Sequence, residues 1–72
     1  MGEKIITLNK DEPYITLHSA LQVVGVISTG GMAKIYLNEN EVLVNGEPEN
    51  RRGRKLYSGD KVKLPDAMFA IK

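Results

Sequence analysis

The residues with most chemical potential lie between Arg51 and Lys63. Arg51, Arg52, Arg54, Lys55, Lys61 and Lys63 face a single acid, Asp60, in a 72-residue chain of formal net charge +1. The window therefore carries +5 and the remainder −4. A field that local attracts polyanions without a basic overall composition. Arginine forks around the flexible Gly53 suit bidentate contacts to phosphate, with affinity that falls as salt rises. The competing reading is a solvated loop.

A second anion site is suggested by Thr29-Gly30-Gly31, which opens a helical pattern. Amide groups and a positive dipole end there can hold a phosphate, and the missing side chains permit close approach. Lys34, one turn on, is its natural partner. The alternative is a tight turn, and without a P-loop lysine the stretch does not read as a nucleotide triphosphatase. Tyr57, between the basic run and a turn, is the better candidate for stacking on an unpaired base. Tyr36 falls on an apolar helical stripe and reads as core. His18 has no second ligand or nucleophile at useful spacing and reads as a partly exposed helix residue. Asp60 reads as a turn-shaping side chain. Glu39, Glu41, Glu47 and Glu49 resemble paired catalytic carboxylates only by count, and read as a solvated acidic rim.

These residues need elements to position them. Lys4–Leu8 and Tyr14–Leu17 are β-prone around the turn-forming run Asn9 to Pro13, which predicts an N-terminal strand or hairpin. Leu17, Ala20, Leu21 and Val24 share one helical face, with Thr16 as N-cap and Gly25 as stop. Thr29 can cap a second helix whose buried stripe is Met32, Ala33, Tyr36 and Leu37, with Asn40 at its end in a left-handed conformation. Val42 and Val44 share a strand face, and Asn45-Gly46 is the strongest hairpin signal in the chain. Pro48 belongs on an edge. Ser58-Gly59-Asp60 marks a turn into Lys61-Val62-Lys63-Leu64, with Val62 and Leu64 inward and the lysines outward, extending the basic loop. Pro65-Asp66 breaks that strand. Met68, Phe69 and Ile71 form an apolar tail that packs back, as one more strand.

The chain bounds these readings. Its length suits one small domain over 1–72, near the lower limit for an unaided core. It contains no cysteine and one histidine, so neither disulfides nor a thiolate or histidine metal centre is expected, and no cofactor. The N-terminus lacks a signal-peptide core or spanning segment, so a cytoplasmic protein without a membrane partner is expected. Hydrophobic content of 42% with 26% charged residues is that of a folded domain.

The order helix, helix, strand, Asn-Gly, basic loop, Gly-Asp, strand resembles the S-four domain, or αL motif, of bacterial RNA-binding proteins. The likeness covers 16–64, leaving an N-terminal strand region 4–15 and an apolar tail 65–72. It rests on Ala33-Lys34 with Leu37, on Val42-Leu43-Val44-Asn45-Gly46, and on Gly59-Asp60-Lys61-Val62. Length, N-terminal strand and the Thr-Gly-Gly-Met-Ala-Lys and Arg-Arg-Gly-Arg-Lys segments are similar to the small stand-alone members of Gram-positive bacteria, the YaaA type. The resemblance implies an α+β fold, with two short helices on a small, mainly antiparallel sheet. It implies non-catalytic binding of structured RNA, ribosomal more than transfer RNA, on the ribosome or its assembly intermediates. The RNA-binding residues would be Thr29, Gly30, Gly31, Lys34, Arg51, Arg52, Arg54, Lys55, Tyr57, Lys61 and Lys63. Thr16-Leu17-His18 replaces a common Arg-Leu-Asp, and Thr29-Gly30 a common Ser-Arg. The richness of Arg51 to Lys55 is then expected to make up the missing charge. The rival is a protein-interaction module that uses the basic loop, with Phe69 and Ile71 as its anchor.

Overall fold

The computed structural model describes residues 3–65 and 67–72. In chain order the elements are β1 (Glu3–Ile6), β2 (Ile15–Thr16), α1 (Leu17–Val23), α2 (Gly31–Glu39), β3 (Leu43–Val44), β4 (Glu47–Pro48), β5 (Lys55–Leu56), β6 (Lys61–Leu64) and β7 (Ala67–Ile71). Five strands form a sheet in the order β1-β7-β6-β3-β4, and β2 pairs with β5 in a separate two-stranded ladder. Among the described residues β1 and β7 run parallel, and the other pairs are antiparallel. This is the α+β arrangement of two helices on a mainly antiparallel sheet.

Helix α1 forms because Leu17, Ala20 and Leu21 make one wholly buried face. Its end is a Schellman turn. Gly25 takes φ +87, its amide donates to the Gln22 carbonyl at 3.1 Å, and the Val26 amide reaches Leu21 at 3.1 Å. Only glycine enters that conformation at little cost. Lys4 Nζ donates to the Val24 carbonyl at 3.1 Å, a cation on a helix C-terminus. Helix α2 buries Ala33 and Leu37, with Tyr36 half-buried against the same core. Met32 is 44% exposed and falls outside the stripe expected of it. Asn40 is extended, at φ −132, rather than left-handed. It closes the helix by donating both its amide and its side-chain Nδ2 to the Tyr36 carbonyl. That pair of bonds satisfies a terminal carbonyl without positive φ.

Asn45 (φ 54) and Gly46 (φ 85) make the tight turn between β3 and β4, which pair Val44 with Glu47. Positive φ at both centres is the type I′ requirement. Pro48 lies on the edge strand β4, where its missing N–H costs no ladder bond. On β6, Val62 and Leu64 are buried and Lys61 and Lys63 exposed, as the two-residue period requires.

Two expectations change. The N-terminal segments do not form a hairpin with each other: β1 pairs with β7 and β2 with β5. The C-terminal tail is a strand as expected, between β1 and β6, and what changes is its role as an anchor, since Phe69 and Ile71 are 1% and 2% exposed. A residue so placed cannot anchor a partner, which removes the interaction module's apolar contact. The break expected at Pro65-Asp66 is present at Pro65, a turn residue directly after β6, and Asp66 lies outside the described residues. Phe69 stands opposite Val62 in the register. Phe69→Ala is therefore expected to destabilise the protein by about 3–5 kcal/mol, read as a lower urea midpoint, whereas Met68→Ala on the exposed side changes it by less than about 1 kcal/mol.

Candidate nucleic-acid interface

Main-chain bonds fasten the basic loop to the start of α1. A helix begins with amides that have no partner inside it. Thr16 occupies the N-cap position without making a side-chain cap bond. Instead, the Leu17 amide donates to the Arg54 carbonyl at 2.8 Å and the His18 amide to the Arg52 carbonyl at 3.0 Å. The Thr16 hydroxyl donates to Ser19 Oγ at 3.0 Å. With the Arg52 and Arg54 carbonyls turned to the helix, Arg52 and Lys55 keep exposed side chains.

Side chains fix the other end of the loop. Glu49 is no rim carboxylate: its side chain is 8% exposed and sits between two arginines. It accepts from Arg51 Nε at 3.0 Å, from Arg51 Nη2 at 3.2 Å, from the Arg51 amide at 3.1 Å and from Arg54 Nη1 at 2.7 Å. The Arg51 side-chain bond, opposed by desolvation and aided by the Arg54 side chain and the Arg51 amide, lowers the Glu49 carboxyl from 4.5 to about 2. The loop is thus not the free multivalent cation that the sequence suggests. Arg51 and Arg54 share one carboxylate, while Arg52 and Lys55 keep their charge for other contacts.

His18 links this loop to the second helix. Its Nδ1 lies 3.3 Å from the Arg52 carbonyl and 3.3 Å from the Thr16 hydroxyl. On its other side, a Cβ built on Gly30 would meet His18 Cδ2 at 3.5 Å. Gly30, already helical at φ −60, is the N-cap of α2, and no side-chain cap bond forms there. The Thr29 and Gly30 carbonyls take the Met32 and Ala33 amides at 3.1 and 3.2 Å. Thr29's expected hydroxyl cap is replaced by main-chain bonds, because the two glycines let the chain coil before the helix proper starts. Gly31 and Lys34 are exposed. Lys34 follows Gly30 by four residues and so shares its side of the helix. The structure therefore brings Gly30 and Arg52 to the same histidine, with Lys34 one turn beyond.

Lys61 and Lys63 stand on the face of the five-stranded sheet that the helices leave uncovered. Lys61 is held by the Asn45 turn. Its amide donates to Asn45 Oδ1 at 3.0 Å, and its carbonyl accepts from the Asn45 amide at 2.8 Å. Asp60 completes that corner, accepting from Asn45 Nδ2 at 3.1 Å and from the Tyr57 amide at 2.8 Å. Sequence reasoning missed Glu49, His18 and Tyr14. The two-residue spacing of Glu49 from Arg51 was a usable signal; the proximity of His18 to Gly30 was not, being purely tertiary.

The Glu49 contacts have a measurable consequence. A carboxylate held at a lower pKa in the folded state stabilises above its unfolded value and loses that contribution as pH falls toward the folded one. Glu49→Gln is expected to cost about 1–2 kcal/mol at neutral pH. In melting curves taken against pH, the gap between wild type and variant should narrow below about 4.5 and close near 2.

The family model described as S4 domain matches residues 6–72. The chain is 59% identical over 54 residues, 75% of its length and 76% of the other's, to the "Probable ribosome maturation protein RlbA" of Bacillus subtilis (strain 168). No solved structure matches. With the family model spanning all but the first few residues, the chain belongs to the S4 domain family.

Proposed function

We propose that the protein binds structured RNA without catalysing a reaction on it, ribosomal RNA before transfer RNA, during ribosome maturation in the cytoplasm. The observation that carries this reading is the meeting of two cationic halves at His18: Arg52 and its loop on one side, the Gly30 turn with Lys34 on the other. Family membership and the name of the Bacillus subtilis relative support it. Among the described residues no helix is long and apolar enough to cross a membrane.

In this reading residues 1–72 act as one unit. Arg52, Lys55 and Lys34 make direct phosphate contacts, and the exposed Thr29 and Gly31 let the backbone come close. Arg51 and Arg54 contribute through the edges that Glu49 leaves free. Lys61 and Lys63 meet a more distant stretch of backbone. Spacing of this kind positions a duplex by its phosphates and reads it by shape.

A salt series tests the proposal, with a fragment of ribosomal RNA as probe. Removing one lysine or arginine that neutralises a phosphate should flatten the slope of log affinity against log salt by about 0.7–0.9. Lys34→Ala is therefore expected to flatten it by about that amount, and Arg52→Ala/Lys55→Ala by about twice as much. No binding at low salt sinks the RNA reading, and an unchanged slope in Lys34→Ala sinks the two-part site. The exchange of charge between helix and loop has its own test. Gly30 has a helical φ, and its built Cβ makes only ordinary contact with His18. Gly30→Arg should fold, bind more tightly and steepen the slope by about 0.7–0.9.

A further inference from the structure

We propose that the ladder of β2 and β5 presents a stacking site for one unpaired nucleotide, with Tyr57 as the platform and Arg54 and Lys55 as the phosphate clamp. This rests on the RNA reading and names the RNA feature that the site selects. The antiparallel register pairs Ile15 with Leu56 and Thr16 with Lys55. Tyr14 and Tyr57 are the next pair outward, so the ladder sets their rings side by side. The ring centroids are 5.8 Å apart, with planes tilted by 53°. Lys55, two residues before Tyr57, shares its face and places Nζ 5.0 Å from the Tyr14 centroid.

The contacts divide the labour. Tyr14 is half-buried and covered by Lys55, so it supports. Tyr57 is 48% exposed and leans on Tyr14. Its backbone is fixed, because its amide donates to Asp60 at 2.8 Å. Beside it lies an open groove of about 540 Å³ lined by Arg51, Gly53, Arg54, Lys55 and Tyr57. That volume falls in the range of sites for small ligands. A Cβ at Gly53 would meet nothing within 4 Å, so the space beside that lining residue is open.

An aromatic ring with an accessible face, flanked by a guanidinium and an ammonium, matches one nucleotide: a flat π-face joined to an anion. Paired bases in the interior of a duplex cannot use it, because both their faces are covered by neighbours. The ligand is thus a bulged or looped-out nucleotide next to the duplex that the cationic surface holds. Stacking tolerates any base, so the site selects for an unpaired position rather than a sequence.

The test compares a blunt RNA duplex with the same duplex carrying one bulged 2-aminopurine, each over a salt series. Wild type should prefer the bulged RNA by roughly 5- to 150-fold, the range a base on an aromatic is worth, and should quench the 2-aminopurine. Tyr57→Phe should keep the preference. Tyr57→Ala should lose both preference and quenching while holding the blunt duplex with the wild-type salt slope. Equal, salt-dependent binding of both RNAs by wild type overturns the stacking site and leaves the RNA reading standing. Failure of either RNA to bind at low salt overturns both. A preference that survives Tyr57→Ala also overturns the site.

Discussion

Two main-chain bonds govern this molecule: the carbonyls of Arg52 and Arg54 accepting the first amides of α1. Buried amides without partners are costly, and a helix of seven residues has few other interactions to offset them. The loop that carries the positive charge is therefore also the cap of the helix that carries Leu17, Ala20 and Leu21 into the core. Basic loop and fold cannot vary independently. A loop held this way enters a complex with much of its ordering already done, which is the thermodynamic benefit of preorganisation.

Charge is arranged on the same principle. Counted along the sequence, Arg51 to Lys63 is a +5 block. In three dimensions Glu49 stands inside the block and is shared by two of its arginines. The side chain of Arg51 is 72% exposed and that of Arg54 31%, so both retain edges for an outside acceptor. The carboxylate sets a threshold, since an anion must offer more than Glu49 already does. Multivalent phosphate meets that condition better than a lone ion.

Much of this is legible in the residues. Asn45-Gly46, the alternation of Val62 and Leu64 with two lysines, and the Leu17-Ala20-Leu21 face are local signals, and local backbone preference decides each. What escapes depends on partners distant in sequence. The parallel β1–β7 pair has no turn to announce it, and the ladder of Ile15 with Leu56 that brings Tyr14 to Tyr57 spans most of the chain. Periodicity puts Met32 on the buried stripe because it cannot tell a covered face from an open one. Asn40 suggests a left-handed helix end through its tolerance of positive φ, yet its side chain finds a carbonyl instead. Of the candidate site, the charged residues are visible in the sequence and the sharing of Glu49 by Arg51 and Arg54 is not.

The pairing of β1 with β7 sets the order in which the molecule assembles. Helices, the Asn45 turn and the β3–β6 ladder join residues close along the chain, while Glu3 must find Met68 and Ile6 must find Ile71. The two ends are then sewn together, Lys72 donating to the Ile6 carbonyl and accepting from the Leu8 amide. Contacts of such sequence separation form late, because loop closure must precede any gain from them. The β3–β4 and β6–β7 pairs belong to the early, local part, whereas the basic loop reaches α1 across 34 residues, from His18 to Arg52, and with β1 belongs to the late part. The cationic loop and the sealed chain ends are therefore completed by the same class of long closures, after the local hairpins have formed.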